Sequence, residues 1–151
     1  MTSLIEEKEV TAVQLSLALE QAVIEHELEE DGTIQVNEDG WYPFWISINP
    51  RTGYVHFRTH TCFRKLSSLL QRLELCNELN LHNYLFTAAL QEDRLLLDHV
   101  LSYRSGLLRE NVIRGCRQFA RNIARGLGKT DPDNKVVLLP GQTESEDEAA
   151  A

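Results

Sequence analysis

The sequence predicts an α+β domain in which helices pack on an antiparallel five-stranded sheet, in the order α-β-β-β-α-β-β-α. Two stretches carry this expectation. Trp41–His60 reads as two runs of period-two alternation around the turn Asn49-Pro50-Arg51-Thr52-Gly53, which is a hairpin signal. Gly106–Leu127 repeats its apolar residues at helical spacing, with Leu108, Val112, Cys116, Phe119, Ile123 and Leu127 on one stripe. At 151 residues and 42% hydrophobic content, the chain is one domain with enough apolar side chains for a core that needs no disulfide.

Taken in order, residues 1–9 are expected to be a frayed N-terminus. Val10 to about Glu29 has helical spacing, with Val13, Leu17, Ile24 and Leu28 on one stripe and Leu15, Leu19, Ala22 and Val23 nearly opposite. A helix that is apolar on two sides must bury both, so it is either sandwiched in its own domain or meets a second subunit or client. Gly32 is a natural stop. Thr33–Asn37 alternates as a short strand, and Asp39-Gly40 turns the chain into the hairpin. The first hairpin strand turns Phe44, Ile46 and Ile48 to one face. The second turns Val55, Phe57 and Thr59 one way and Tyr54, His56, Arg58 and His60 the other.

After Thr61 the period becomes helical again, with Leu66, Leu69, Leu70, Leu73 and Cys76 on the expected core face. Tyr84–Leu90 and Arg94–Tyr103 form a second strand pair around Gln91-Glu92-Asp93. The long C-terminal helix follows. Residues 10–128 are therefore expected to be the domain, and 129–151 an acidic, largely disordered tail in which Lys135–Leu139 can dock as a short strand.

The net charge of -8 is unevenly distributed: -10 over residues 1–40, +7 over 51–130 and -5 over 131–151. A basic middle between acidic ends suits an acidic partner or self-complementarity. The N-terminal residues lack the basic and apolar regions of a signal peptide, and no apolar run approaches membrane-spanning length. Cys62, Cys76 and Cys116 are odd in number and widely spaced, consistent with reduced thiols in a bacterial cytoplasm.

No reaction chemistry is legible. His56 and His60, four apart on a strand, are separated by about 13 Å, too far to share a metal. His60 and Cys62 alone fall short of a zinc site. There is no nucleophile elbow and no dinucleotide fingerprint. Gly128-Lys129-Thr130 follows a helix where a phosphate loop would open one. The one polar pattern with spatial logic is Arg114, Arg117, Arg121 and Arg125, whose spacings of three, four and four place them on one flank of the last helix. Such a flank can hold phosphates, an acidic client segment or the chain's own Glu144–Glu148 tail, or simply face solvent. The acidic whole, with no helix-turn-helix or aromatic–basic platform, argues against nucleic acid.

The element order, together with Phe44-Trp-Ile-Ser-Ile-Asn49, Thr52-Gly-Tyr-Val-His-Phe57, the Asn77–Leu85 link and Leu107–Ala120 with Arg117-Gln-Phe119, resembles the YbjN-type family of bacterial sensory transduction regulators, whose fold is like that of class I type III secretion chaperones. The resemblance spans about residues 10–127. It implies a non-enzymatic, often dimeric cytoplasmic module that binds protein segments, with no catalytic residues to transfer.

The expected function is a chaperone-like or regulatory protein-binding module, a homodimer with no cofactor, metal, nucleic-acid or membrane partner. Val13, Leu15, Leu17 and Leu19 are expected to supply a subunit or client contact, and the arginines its electrostatic selection. The rival reading is a domain that senses a small molecule or phosphate ligand through the arginine flank.

Overall fold

A computed structural model of the chain describes residues 3–140 and 142–144. The strands are β1 (Leu4–Ile5), β2 (His26–Leu28), β3 (Ile34–Val36), β4 (Phe44–Asn49), β5 (Tyr54–Cys62), β6 (Thr87–Gln91), β7 (Arg94–Ser102) and β8 (Leu107–Leu108). The described residues form three α-helices, α1 (Ala12–Gln21) and α2 (Leu69–His82) between strands and α3 (Arg109–Thr130) after the last of them. The main sheet has six strands in the order β2-β3-β4-β5-β7-β6, all antiparallel, and β1 pairs with β8 in a separate two-stranded ribbon. The expectation of five strands and an α-first order is thus corrected. A strand precedes α1, a further strand follows it, and a short one leads into α3.

The central hairpin forms as its alternation dictates. Val55 pairs with Ile48 and Phe57 with Ile46, so the apolar sets of both strands share one face. Gly53 sits in the turn at φ +74, and a Cβ there would lie 2.5 Å from Arg104 Nε. α3 crosses that apolar face. Phe119 meets Phe44 edge-on at 5.2 Å between ring centroids and lies 6.0 Å from Phe57, within the favourable range for aromatic pairs. Gly115 of α3 faces the same aromatic cluster, where a Cβ would stand in ordinary contact at 3.4 Å from Phe57. His99 of β7 packs against Phe57 and Phe119. Burial holds its imidazole pKa below the ordinary value, against smaller upward pulls from a hydrogen bond with Leu85 and the charge of Asp98.

α1 is half the length its periodicity suggests. Its last turn closes with Val23 N–H donating to the Glu20 carbonyl and Ile24 N–H to that of Leu19, both at 3.0 Å, the Schellman pattern. The left-handed residue of this motif, usually glycine, is Val23 at φ 57. Beyond it the chain extends as β2. His26 Nδ1–H donates to the Ile24 carbonyl at 2.7 Å, which leaves Nε2 to accept from the Ser16 hydroxyl at 2.8 Å and ties the strand to α1. The shortened helix buries only one of its two apolar sides. Leu15 and Leu19 are fully buried, whereas Val13 and Leu17 are 57% and 42% exposed. The grouping of all four as one contact surface is therefore corrected: Leu15 and Leu19 belong to the core.

α2 is also rotated relative to expectation. A capping box between Ser68 and Gln71 starts it. Near its end, the Asn80 side chain brackets Ala88 of β6, donating to its carbonyl at 2.9 Å and accepting from its N–H at 2.6 Å. Leu79 also approaches Gly126 of α3. These contacts turn Leu75, Cys76 and Leu79 inward. Leu66, Leu69, Leu70 and Leu73, expected in the core, stay 48–65% exposed.

The N-terminus is not frayed over Ser3–Glu9. Ile5 is buried, and Glu7 forms an ion pair with Arg104 at 2.7 Å. At the other end Asp131 accepts from the N–H groups of Lys135, Val136 and Val137, and Val137 bridges to Phe63, so this segment docks on the end of β5. Residues 145–151, most of the acidic run, lie outside the described residues.

Three outcomes follow from this packing. Replacing the strained, exposed valine by Val23→Gly is expected to raise unfolding free energy by about 1 kcal/mol, because a β-branched residue is disfavoured at positive φ. Urea titration monitored by circular dichroism measures it. Leu15→Ala is expected to cost about 2–5 kcal/mol, while Leu17→Ala stays within about 0.5 kcal/mol. Equal costs would contradict the burial assignment. For His99 the sign is that of a depressed base: the folded state resists a proton that the unfolded state binds near about pH 6.5, so stability present above that pH is lost below it. Melting temperature should fall from about pH 7 to about pH 5.5, and more shallowly in His99→Gln.

Candidate functional site

Where α1 and α3 lie side by side, they leave an open groove of about 990 Å³. Its apolar floor is Ala18, Ala22 and Ile113, and Gln21 and Gln118 contribute amides. Arg109, Arg114, Arg117 and Arg121 rim it. Because Val112, Cys116, Phe119 and Ile123 are held against the sheet, the intervening residues of α3 must point away from it. Amphipathicity thus delivers the arginines to one side. Three of the four arginines singled out in the sequence line the groove. Arg125 is exposed but does not.

Two features make the rim strongly cationic. Arg114, Arg117 and Arg121 make no hydrogen bond or ion pair to another of the described residues. Arg109 reaches Gln21 Oε1 with Nη1 at 3.5 Å, while its Nε is buried with no hydrogen-bond partner among the described residues. The one acid on the rim, Glu110, has its carboxyl held below the usual range by hydrogen bonds from its own backbone N–H and from Ser3, with lesser contributions from Arg109 and Arg114. Its carboxylate lies in the first turn of α3, where it complements the helix dipole.

Arg109 and Gln21 had no readable signal in the sequence. Arg109 stands five residues before Arg114, off the three-four spacing, and Gln21 reaches it from another helix. The second unpartnered surface is the leucine stripe of α2, and the two apolar side chains that α1 leaves exposed, Val13 and Leu17, form a smaller one.

Reactive groups are not convergent here. Burial pushes the Cys116 thiol up to about 12, so it is packed, protonated and inert at neutral pH. Among the described residues there is no group of three or more His, Cys, Asp or Glu placed to hold a metal ion, and no helix long and apolar enough to cross a membrane.

Solved structures share this fold. The crystal structure of E. coli YbjN, described as "a putative transcription regulator", matches with a TM-score of 0.68 and 17% identity, over 83% of this chain and 94% of that one. A chain of the HopA1–SchA chaperone–effector complex matches with a TM-score of 0.56 and 13% identity, over 77% of this chain and 89% of that one. No curated protein matches the chain in sequence. The family model "YbjN: Putative bacterial sensory transduction regulator" matches residues 11–127, nearly the whole of the folded region, and the chain belongs to the YbjN family.

Proposed function

We propose that this protein is a non-enzymatic regulatory or chaperone-like protein-binding module of a bacterial cytoplasm, and that it self-associates through α2. The observation that carries this reading is the exposed leucine stripe. Leu69, Leu70 and Leu73 share one face of α2, Leu66 stands exposed in the turn just ahead of it, and Leu81 extends the apolar surface toward the C-terminal end. Covering the half of each leucine that stands in water gains about 1 kcal/mol, so a packed partner is the state such a stripe favours.

A second copy is a natural occupant. A helix face of three leucines, with Leu66 beside its start, is self-complementary, and two-fold pairing places the same patch on both sides. The fold shared with a chain of a chaperone–effector complex supports protein segments as the ligand class. The core position of Leu15 and Leu19 removes them from any contact surface, and Val13 and Leu17 remain exposed on α1, apart from α2.

Light scattering across a dilution series tests this reading. Wild type is expected to be dimeric at micromolar concentration. Leu69→Glu/Leu73→Glu, which touches no core residue, is expected to be a folded monomer, its self-association weakened by more than about tenfold. A wild-type monomer at every concentration, or a variant that dimerises equally well, would remove α2 as the interface.

A further inference from the structure

We propose that the arginine-rimmed groove between α1 and α3 is a docking site for an extended acidic peptide segment of a partner protein. This deepens the protein-binding reading by naming the chemistry of the partner, and it rests on a surface separate from α2.

The length of the cationic row selects the ligand. From Arg109 to Arg121 the helix axis advances about 18 Å, at 1.5 Å per residue. A free phosphate engages one or two guanidinium groups and leaves the rest of the row unanswered. An extended chain advances about 3.3 Å per residue, so five or six residues cover the row. Its same-side side chains recur about every 6.6 Å. Successive arginines are offset along the axis by about 7.5, 4.5 and 6 Å, close to that repeat. Carboxylates on alternate residues can therefore each meet a guanidinium, with the bidentate geometry that arginine offers and lysine does not.

The floor is suited to the same ligand. Ala18 and Ala22 are small enough for a backbone to come near, and Ile113 gives the intervening side chains an apolar contact.

The net charge of -8 opposes any acid at long range. At about 0.1 M salt, however, the screening length is about 10 Å, so inside the groove the nearby guanidiniums outweigh distant carboxylates. The chain's own acidic run is a weaker candidate: Glu144, its first member, accepts from the Lys65 backbone N–H, just ahead of α2.

The probe is a fluorescein-labelled ten-residue peptide of alternating glutamate and serine, titrated with the full chain at about 0.1 M salt and followed by anisotropy. Saturable binding is expected, lost in the glutamine–serine version of the peptide and weakened at least tenfold in Arg117→Gln/Arg121→Gln. Both substitutions are at exposed positions, and an unchanged melting temperature confirms that the fold is intact. Leu69→Glu/Leu73→Glu should bind the peptide as wild type does, even where dimerisation fails. The assignment is overturned if the glutamate peptide does not saturate, if Arg117→Gln/Arg121→Gln binds it equally, if the α2 variant loses it while folded, or if inorganic phosphate raises the melting temperature and the peptide does not.

Discussion

The contact on which the structure depends is Phe119 of α3 seated edge-on against Phe44, with Phe57 beside it. It joins the longest helix to the centre of the sheet and fixes which side of that helix faces inward. Two consequences follow from one packing decision. The apolar stripe of α3 is spent on β4 and β5, so its arginines project from the opposite flank. The other sheet face is left to residues that tolerate water, among them Ser47, Arg58 and His60, with Trp45 stacked on the His60 ring at 5.4 Å.

A six-stranded sheet is wide for three helices. α3 takes the middle, α1 sits by the β2 edge and α2 by the β6 edge. With its centre held by Phe119, α3 cannot also close against all of α1, and the space between them is the arginine-rimmed groove. α2, pinned at its C-terminal half by Asn80 and Leu79, directs its N-terminal leucines outward. Both candidate surfaces are therefore products of how the same sheet face is covered. Neither required a special loop or a strained catalytic turn.

What could be read in the sequence was whatever depends on local period. The alternation in β4 and β5, and the stripe of α3 from Val112 onward, gave the correct facing because each has one buried side and one wet side; Leu108, expected on that stripe, lies in β8 and is 43% exposed. The failures have separate physical causes. α1 was read too long because its stop signal is Val23, a residue that ordinarily avoids the left-handed region, so no glycine marks the end. In α2 the leucine stripe was read as core because an apolar face cannot by itself indicate whether its cover comes from the same chain. The N-terminal strand was missed because its partner, Leu107–Leu108, is about a hundred residues away and both are only two residues long. In the groove, Arg114, Arg117 and Arg121 were legible as periodic members of one helix. Arg109 and Gln21 were not, since they come together only through the packing of α1 on α3.

The two surfaces differ in the forces they can use. Leucines on α2 favour association by removing apolar area from water, a contribution that salt does not screen and that discriminates poorly among apolar partners. Guanidiniums in the groove contribute less net affinity in water but demand a matching charge pattern, and their attraction fades as ionic strength rises. Placed on separate helices, the first can hold an assembly together while the second selects what joins it. The acidic ends of the chain strengthen that selection, because they repel acidic segments everywhere except where the arginines of α3 are close enough to prevail.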